Sequence, residues 1–162
     1  MTEAQRISEL FRSVYEGDAS GEAWHGAALK PLLRDVTAHE ASRNPGVGRH
    51  TMLQLVLHIA YWEEIFLRRL NGETVDAPLN SPEDWPPNHK ISDAEWHAAL
   101  ERLDKAHAAL SGAVASCPDA KLKEKMPGKA YDNYTVIQGL LHHTVYHTAQ
   151  MVLIKKACQH DS

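Results

Sequence analysis

The sequence predicts an all-α protein, a four-helix bundle with long connections after its first and second helices. Three observations predict it. Four stretches carry apolar residues at the 3.6-residue period of an amphipathic helix. Each opens with Ser or Thr followed three residues later by Gln or Glu, the capping-box pattern. No stretch alternates apolar and polar residues as a half-buried strand would. The length of 162 residues fits a single domain over 1–162 with a sizeable core.

The first long helix is expected over residues 2–16. Ile7, Leu10, Phe11 and Val14 form its apolar stripe, Thr2 and Gln5 cap it, and Gly17 with the run GDASG ends it. Residues 22–50 are a connector with a short helical piece near 27–35 and a Pro- and Gly-rich loop, RNPGVGRH. Trp24 and His25, early in this connector, read equally as a pair that closes over a site or as a tryptophan packed on the bundle edge beside a solvated histidine. The second long helix covers 51–70, capped by Thr51 and Gln54. Leu55, His58, Trp62 and Ile65 share one of its faces, while Glu63 and Glu64 lie off the face of His58 and read as solvated charges.

Residues 71–91 hold four prolines and an Asn-Gly, a long irregular crossover. Connections of that length are often functional, and Trp85, followed by Pro86 and Pro87, is expected to cover one end of the bundle. The third long helix covers 92–116, capped by Ser92 and Glu95, with Trp96, Leu100, Leu103, His107, Leu110 and Val114 as its stripe. A loop with Pro118, Pro127 and Gly128 leads to the last helix, 135–157, capped by Thr135 and Gln138.

Composition excludes some functions. A net charge of −4 gives no basic footprint for nucleic acid or an anionic membrane. No apolar run approaches the ~20 residues of a membrane span, and no apolar segment follows the N-terminus. Cys117 and Cys158 form no C-x-x-C and read as free thiols of a reducing compartment, so a cytoplasmic protein is expected. Eleven histidines raise the prospect of metal chemistry.

The last helix focuses that prospect. His143 and His147 are four residues apart, on the face that also carries Val136, Leu140, Met151 and Ile154. Positions i and i+4 of a helix hold Cβ atoms about 5–6 Å apart, so two imidazoles can reach one ion. His58 of the second helix completes a three-histidine set facing the bundle core. Three neutral imidazoles suit one divalent transition metal, Zn or Ni foremost and Fe or Mn as further options, rather than Mg or Ca. Three protein ligands leave a position open for water or substrate. His107 reads first as a boundary histidine bonded to a neighbouring group and second as a rival fourth ligand, and His25 would be a fourth ligand in a closed site. Gln150 is the first candidate to orient a ligand, with Tyr61 and Tyr146 behind it, and Trp24, Trp62 and Trp85 are candidate pocket walls. Thr144 stands where H-E-x-x-H has its glutamate, and no acidic residue lies on the ligand face, which disfavours a peptidase.

The stretches Trp24-His25-Gly26, 50–73, Glu83-Asp84-Trp85 and 140–156, with one histidine on the second helix and H-x-x-x-H-x-x-Q on the last, resemble the DinB/YfiT-like superfamily of metal-binding four-helix bundles. The resemblance implies that His58, His143 and His147 are the metal ligands. It implies either a metal-dependent transferase using a low-molecular-weight thiol such as bacillithiol or mycothiol, or a hydrolase acting on a small molecule. A metal-binding, stress-associated module without turnover is the alternative. It also implies a homodimer. The related sulfoxide synthases of ergothioneine assembly carry H-x-x-x-H-x-E, and Ala149 stands at that last position here.

Overall fold

The computed structural model describes residues 1–160. In chain order the elements are α1 (Glu3–Glu16), β1 (Glu22–Ala23), β2 (Gly26–Ala27), α2 (Leu29–Leu33), α3 (Ala38–Ser42), α4 (Met52–Leu70), α5 (Asp93–Ala115), α6 (Asp119–Leu122) and α7 (Asn133–His160). Among the described residues the protein is all-α apart from the two-residue antiparallel pair β1–β2 and an isolated bridge between Lys125 and Asp132.

The long helices start where their caps dictate. In α1, α4 and α5 the side chain of Thr2, Thr51 or Ser92 accepts the backbone N–H three residues on, and Gln5, Gln54 or Glu95 reaches back to the cap's own N–H. Each box satisfies two donors that the first helical turn leaves bare. Gly17 ends α1 at φ 72°, and a Cβ there would lie 2.8 Å from the Gly21 carbonyl carbon, so only glycine fits.

Packing then sets the order of the bundle. α1 lies against α5, α5 against α4, α4 against α7, and α7 against α1, which closes a four-helix ring. α4 and α7, the carriers of His58 and of His143 and His147, are neighbours. α5 stands diagonally across from α7. The short helices α2 and α3 close one end of the bundle, α2 against α1 and α7, α3 against α4 and α5. Leu55 and Ile59 of α4 and Met151 of α7 are at most 1% exposed. Each such side chain contributes about 1.5–3 kcal/mol by burial, enough to fix the register of α4 on α7.

Four expectations need correction. Leu10, placed in the α1 stripe, is 51% exposed; Ala4 at 0% takes the core position instead. The connector folds more than expected, into β1, β2, α2 and α3, the last with its own capping box from Thr37 and Glu40. The last helix starts two residues early, at Asn133. Asp132 Oδ1 accepts the Thr135 N–H at 2.8 Å, so Asp132 is the capping acceptor and Thr135 lies in the first turn. Glu63 is not a solvated charge. It is fully buried, because α4 is covered on two sides by α5 and α7, and it faces His107 of α5 at 3.3 Å. Among the described residues no helix is long and apolar enough to cross a membrane.

Candidate metal centre

The α4–α7 interface brings the three histidines together. His143 Nε2 lies 2.9 Å from His58 Nε2 and 3.0 Å from His147 Nε2. The ligand atoms of all three lie within 4.8 Å of one another, a group that could hold a metal ion. His58 and His147 are buried and His143 is half-buried.

The crossover between α4 and α5 supplies what orients His58. Asn80 adopts φ 61°, a left-handed conformation that asparagine tolerates. From there its N–H donates to Asp84 Oδ2 at 2.8 Å, and Ser81 Oγ accepts the Asp84 N–H at 3.2 Å. This turn aims the Asp84 side chain inward, where it is 2% exposed. Its Oδ1 lies 2.7 Å from His58 Nδ1 and accepts the Trp62 indole N–H at 2.7 Å. The Asp84 carbonyl is 3.1 Å from the same His58 nitrogen. A carboxylate and a carbonyl only accept, so Nδ1 of His58 carries the proton and Nε2 presents its lone pair.

Gln150 does the same for His147. Its Oε1 lies 2.7 Å from His147 Nδ1, one turn along α7. His147 Nε2 is thereby also a lone pair. His143 sits between two acceptors, and its Nδ1 is buried without a partner. One N–H on His143 cannot satisfy both neighbours and its own second nitrogen. A cation on the three Nε2 atoms would satisfy all three of those lone pairs, with the His143 proton left on Nδ1.

Electrostatics keep the imidazoles neutral, the form in which they ligate metals. Burial and the neighbouring His147 and His58 push the His143 pKa down to about 3. Burial takes His147 down to about 4 against the pull of Gln150. His58 is also lowered by burial, with Asp84 opposing. The donor set therefore fits a borderline divalent metal.

Above the imidazoles, the Trp85 indole is stacked between two rings, His58 at 3.7 Å and His50 at 3.6 Å. Trp85 thus caps the histidine cluster itself. His58 and His143 line a cleft of about 600 Å³ whose walls include Trp62, Phe66, Trp85, Val136 and Leu140. Leu79, Tyr131 and Lys129 also line it, the first two largely exposed.

The remaining candidates lie elsewhere. Trp24, expected as a pocket wall, is 100% exposed at the tip of the β1–β2 hairpin, and His25 beside it is exposed too. A two-residue tip closed by a glycine at φ 122° has no wall to pack against. His107 belongs to a separate buried group, 3.3 Å from Glu63 and stacked on Tyr15 at 3.9 Å, because α5 lies diagonal to α7. Tyr61 packs edge-on against Trp62 at 5.3 Å, one ring away from His58. Tyr146 touches His147 at 5.0 Å between centroids but is 60% exposed. The sequence patterns single out neither Asp84 nor Lys129, nor His50, Phe66 and Asn80. Asp84 was quoted only within Glu83-Asp84-Trp85, and its role depends on a loop folding back over α4, which no local period announces.

One comparison bears on the fold. No curated protein and no solved structure matches the chain. A model of the DinB superfamily matches residues 23–151, a span from the β1–β2 hairpin to well past His147. On that match, the chain belongs to the DinB superfamily.

Proposed function

We propose that the protein is a metal-dependent enzyme acting on a small molecule, a transferase that joins a low-molecular-weight thiol to an electrophile, with hydrolysis as the related alternative. One observation carries the reading: His58 and His143, two of the three clustered histidines, form part of the wall of an apolar cleft of about 600 Å³, so a ligand in the cleft would lie against the histidine cluster. His58, His143 and His147 would hold the ion, with Zn or Ni best suited to three neutral nitrogen donors. Such an ion, when bound, supplies Lewis acidity that lowers the pKa of a thiol or water.

The chain's own groups do the rest. Asp84 and Gln150 fix the tautomers of His58 and His147. Trp62, Trp85 and Leu140 give the cleft an apolar wall beside the imidazoles. Asp84 is engaged at both oxygens, so it positions rather than exchanging protons. In the transfer itself the sulfur bonds to the electrophilic carbon, the leaving group departs with its electron pair, and the thiol proton is lost to solvent. A non-catalytic metal-binding module would call for a closed site. His107 pairs with Glu63 and His25 is exposed, which favours an open position instead.

The test is a screen of the tag-free, metal-loaded protein with small thiols and fluorogenic electrophiles such as monobromobimane. Turnover that depends on the added metal and vanishes in His58→Ala supports the proposal. Full metal occupancy with no turnover for any thiol or ester offered favours the non-catalytic module.

A further inference from the structure

We infer that the cleft takes a small amphiphilic acid: an apolar body against Trp62, Phe66 and Leu140, and a carboxylate paired with Lys129. The inference rests on the proposed function only in placing the reacting end of the ligand at the histidines.

Lys129 follows Gly128 in the loop ahead of α7 and lines the cleft. Its Nζ lies 5.9 Å from the ring centroids of both Trp62 and Phe66. Among the described residues it has no ion-pair partner. Arg69 approaches the same Phe66 ring at 5.7 Å, and its Nε and Nη1 are buried without partners. Two cations therefore flank one aromatic wall; Arg69 donates Nη2 to the Val75 carbonyl at 2.8 Å and feels Asp76, while Lys129 has no such carboxylate among the described residues. Burial and Arg69 hold the Lys129 ammonium below its ordinary pKa, the sign of a cation short of negative charge.

The carboxylate lining the cleft, Asp84, cannot fill that need. It is taken up by His58, Trp62 and Asn80. Aromatic faces attract the ammonium but do not neutralise it. An anionic ligand group would, and the apolar wall between Lys129 and the histidines would hold the ligand's body. Trp62 joins the two ends, since its ring lies 5.9 Å from Lys129 Nζ and 6.4 Å from the His58 ring.

The experiment compares 4-phenylbutanoate with its neutral amide by calorimetry, on the protein as purified and after metal removal. The Trp62 indole N–H resonance serves as a local reporter. The carboxylate is expected to shift that resonance and to bind about fivefold tighter than the amide, an ion-pair increment at a half-exposed site. Lys129→Gln should abolish the preference, Lys129→Arg should keep it, and both should retain the wild-type metal content. Equal binding of acid and amide, a preference that survives Lys129→Gln, or no binding of either probe would overturn the inference. A preference that persists after metal removal keeps this inference standing even if the metal-dependent reading fails.

Discussion

Asp84 Oδ1 stands 2.7 Å from His58 Nδ1, and this contact decides which nitrogen of His58 is free. The acceptor is buried, charged and held by two further donors, the Trp62 indole and the Asn80 amide. It fixes the His58 ring and points Nε2 at His143. A loop residue thus completes a site that two helices begin.

Asp84→Asn is expected to weaken metal binding about 10- to 100-fold. Asparagine keeps a side-chain acceptor but loses the charge, so helical circular dichroism should stay unchanged. Competition with a chromogenic chelator measures the affinity. An unaltered value would show that His58 needs no help from the crossover.

Gln150→Leu removes a neutral hydrogen bond rather than a charged one. The expected loss is about tenfold, at the low end of such effects. The same competition assay applies, and a larger loss than for Asp84→Asn would reverse the ranking of the two supports.

His107→Ala should cost about 3 kcal/mol or more in urea denaturation and leave metal content unchanged. Glu63 would be stranded, since its Oε2 already lacks a partner and Oε1 would lose His107. The double variant Glu63→Leu with His107→Leu should recover most of the loss. A fall in bound metal in His107→Ala would instead tie this group to the metal centre.

Acid should destabilise the metal-free protein through the histidines. His143 and His147 are depressed to about 3 and about 4 in the fold, while the unfolded chain protonates near 6.5. Their contribution is complete above pH 6.5 and is lost as pH falls from there through about 4 for His147 and about 3 for His143, because the unfolded state then binds more protons. Glu63, raised by burial, acts with the opposite sign. The histidine contribution is therefore the difference between wild type and His143→Asn with His147→Asn. Between pH 7 and 5, Tm of the metal-stripped wild type should fall by about 10 °C more than that of the double variant. Parallel curves would contradict neutral, buried imidazoles.

Much of this was legible in the sequence, for a physical reason. Helix periodicity and capping are local, so Thr51 with Gln54 and Ser92 with Glu95 announced α4 and α5 to the residue. The i, i+4 spacing of His143 and His147 announced a shared face in the same way, and Gln150 followed from one further turn. Asp84 was hidden because its partner His58 is 26 residues away and the link runs through an irregular loop. Glu63 was misread because a face judged on one helix says nothing about how many neighbours cover it. Trp24 was misread for the opposite reason: an aromatic in a connector looks like a wall until the hairpin leaves it in solvent. Asp132 outcompeted Thr135 as the α7 cap because aspartate is the stronger acceptor at the turn's entry.

The most direct test is the metal content of tag-free wild type and His58→Ala, measured by mass spectrometry on protein incubated with Zn or Ni and desalted. Near-stoichiometric metal is expected in the wild type, with its loss in His58→Ala and the helical spectrum intact. A wild type that binds no metal, or a His58→Ala variant that binds as much as wild type, would contradict the three-histidine metal centre and return His58, His143 and His147 to a structural role.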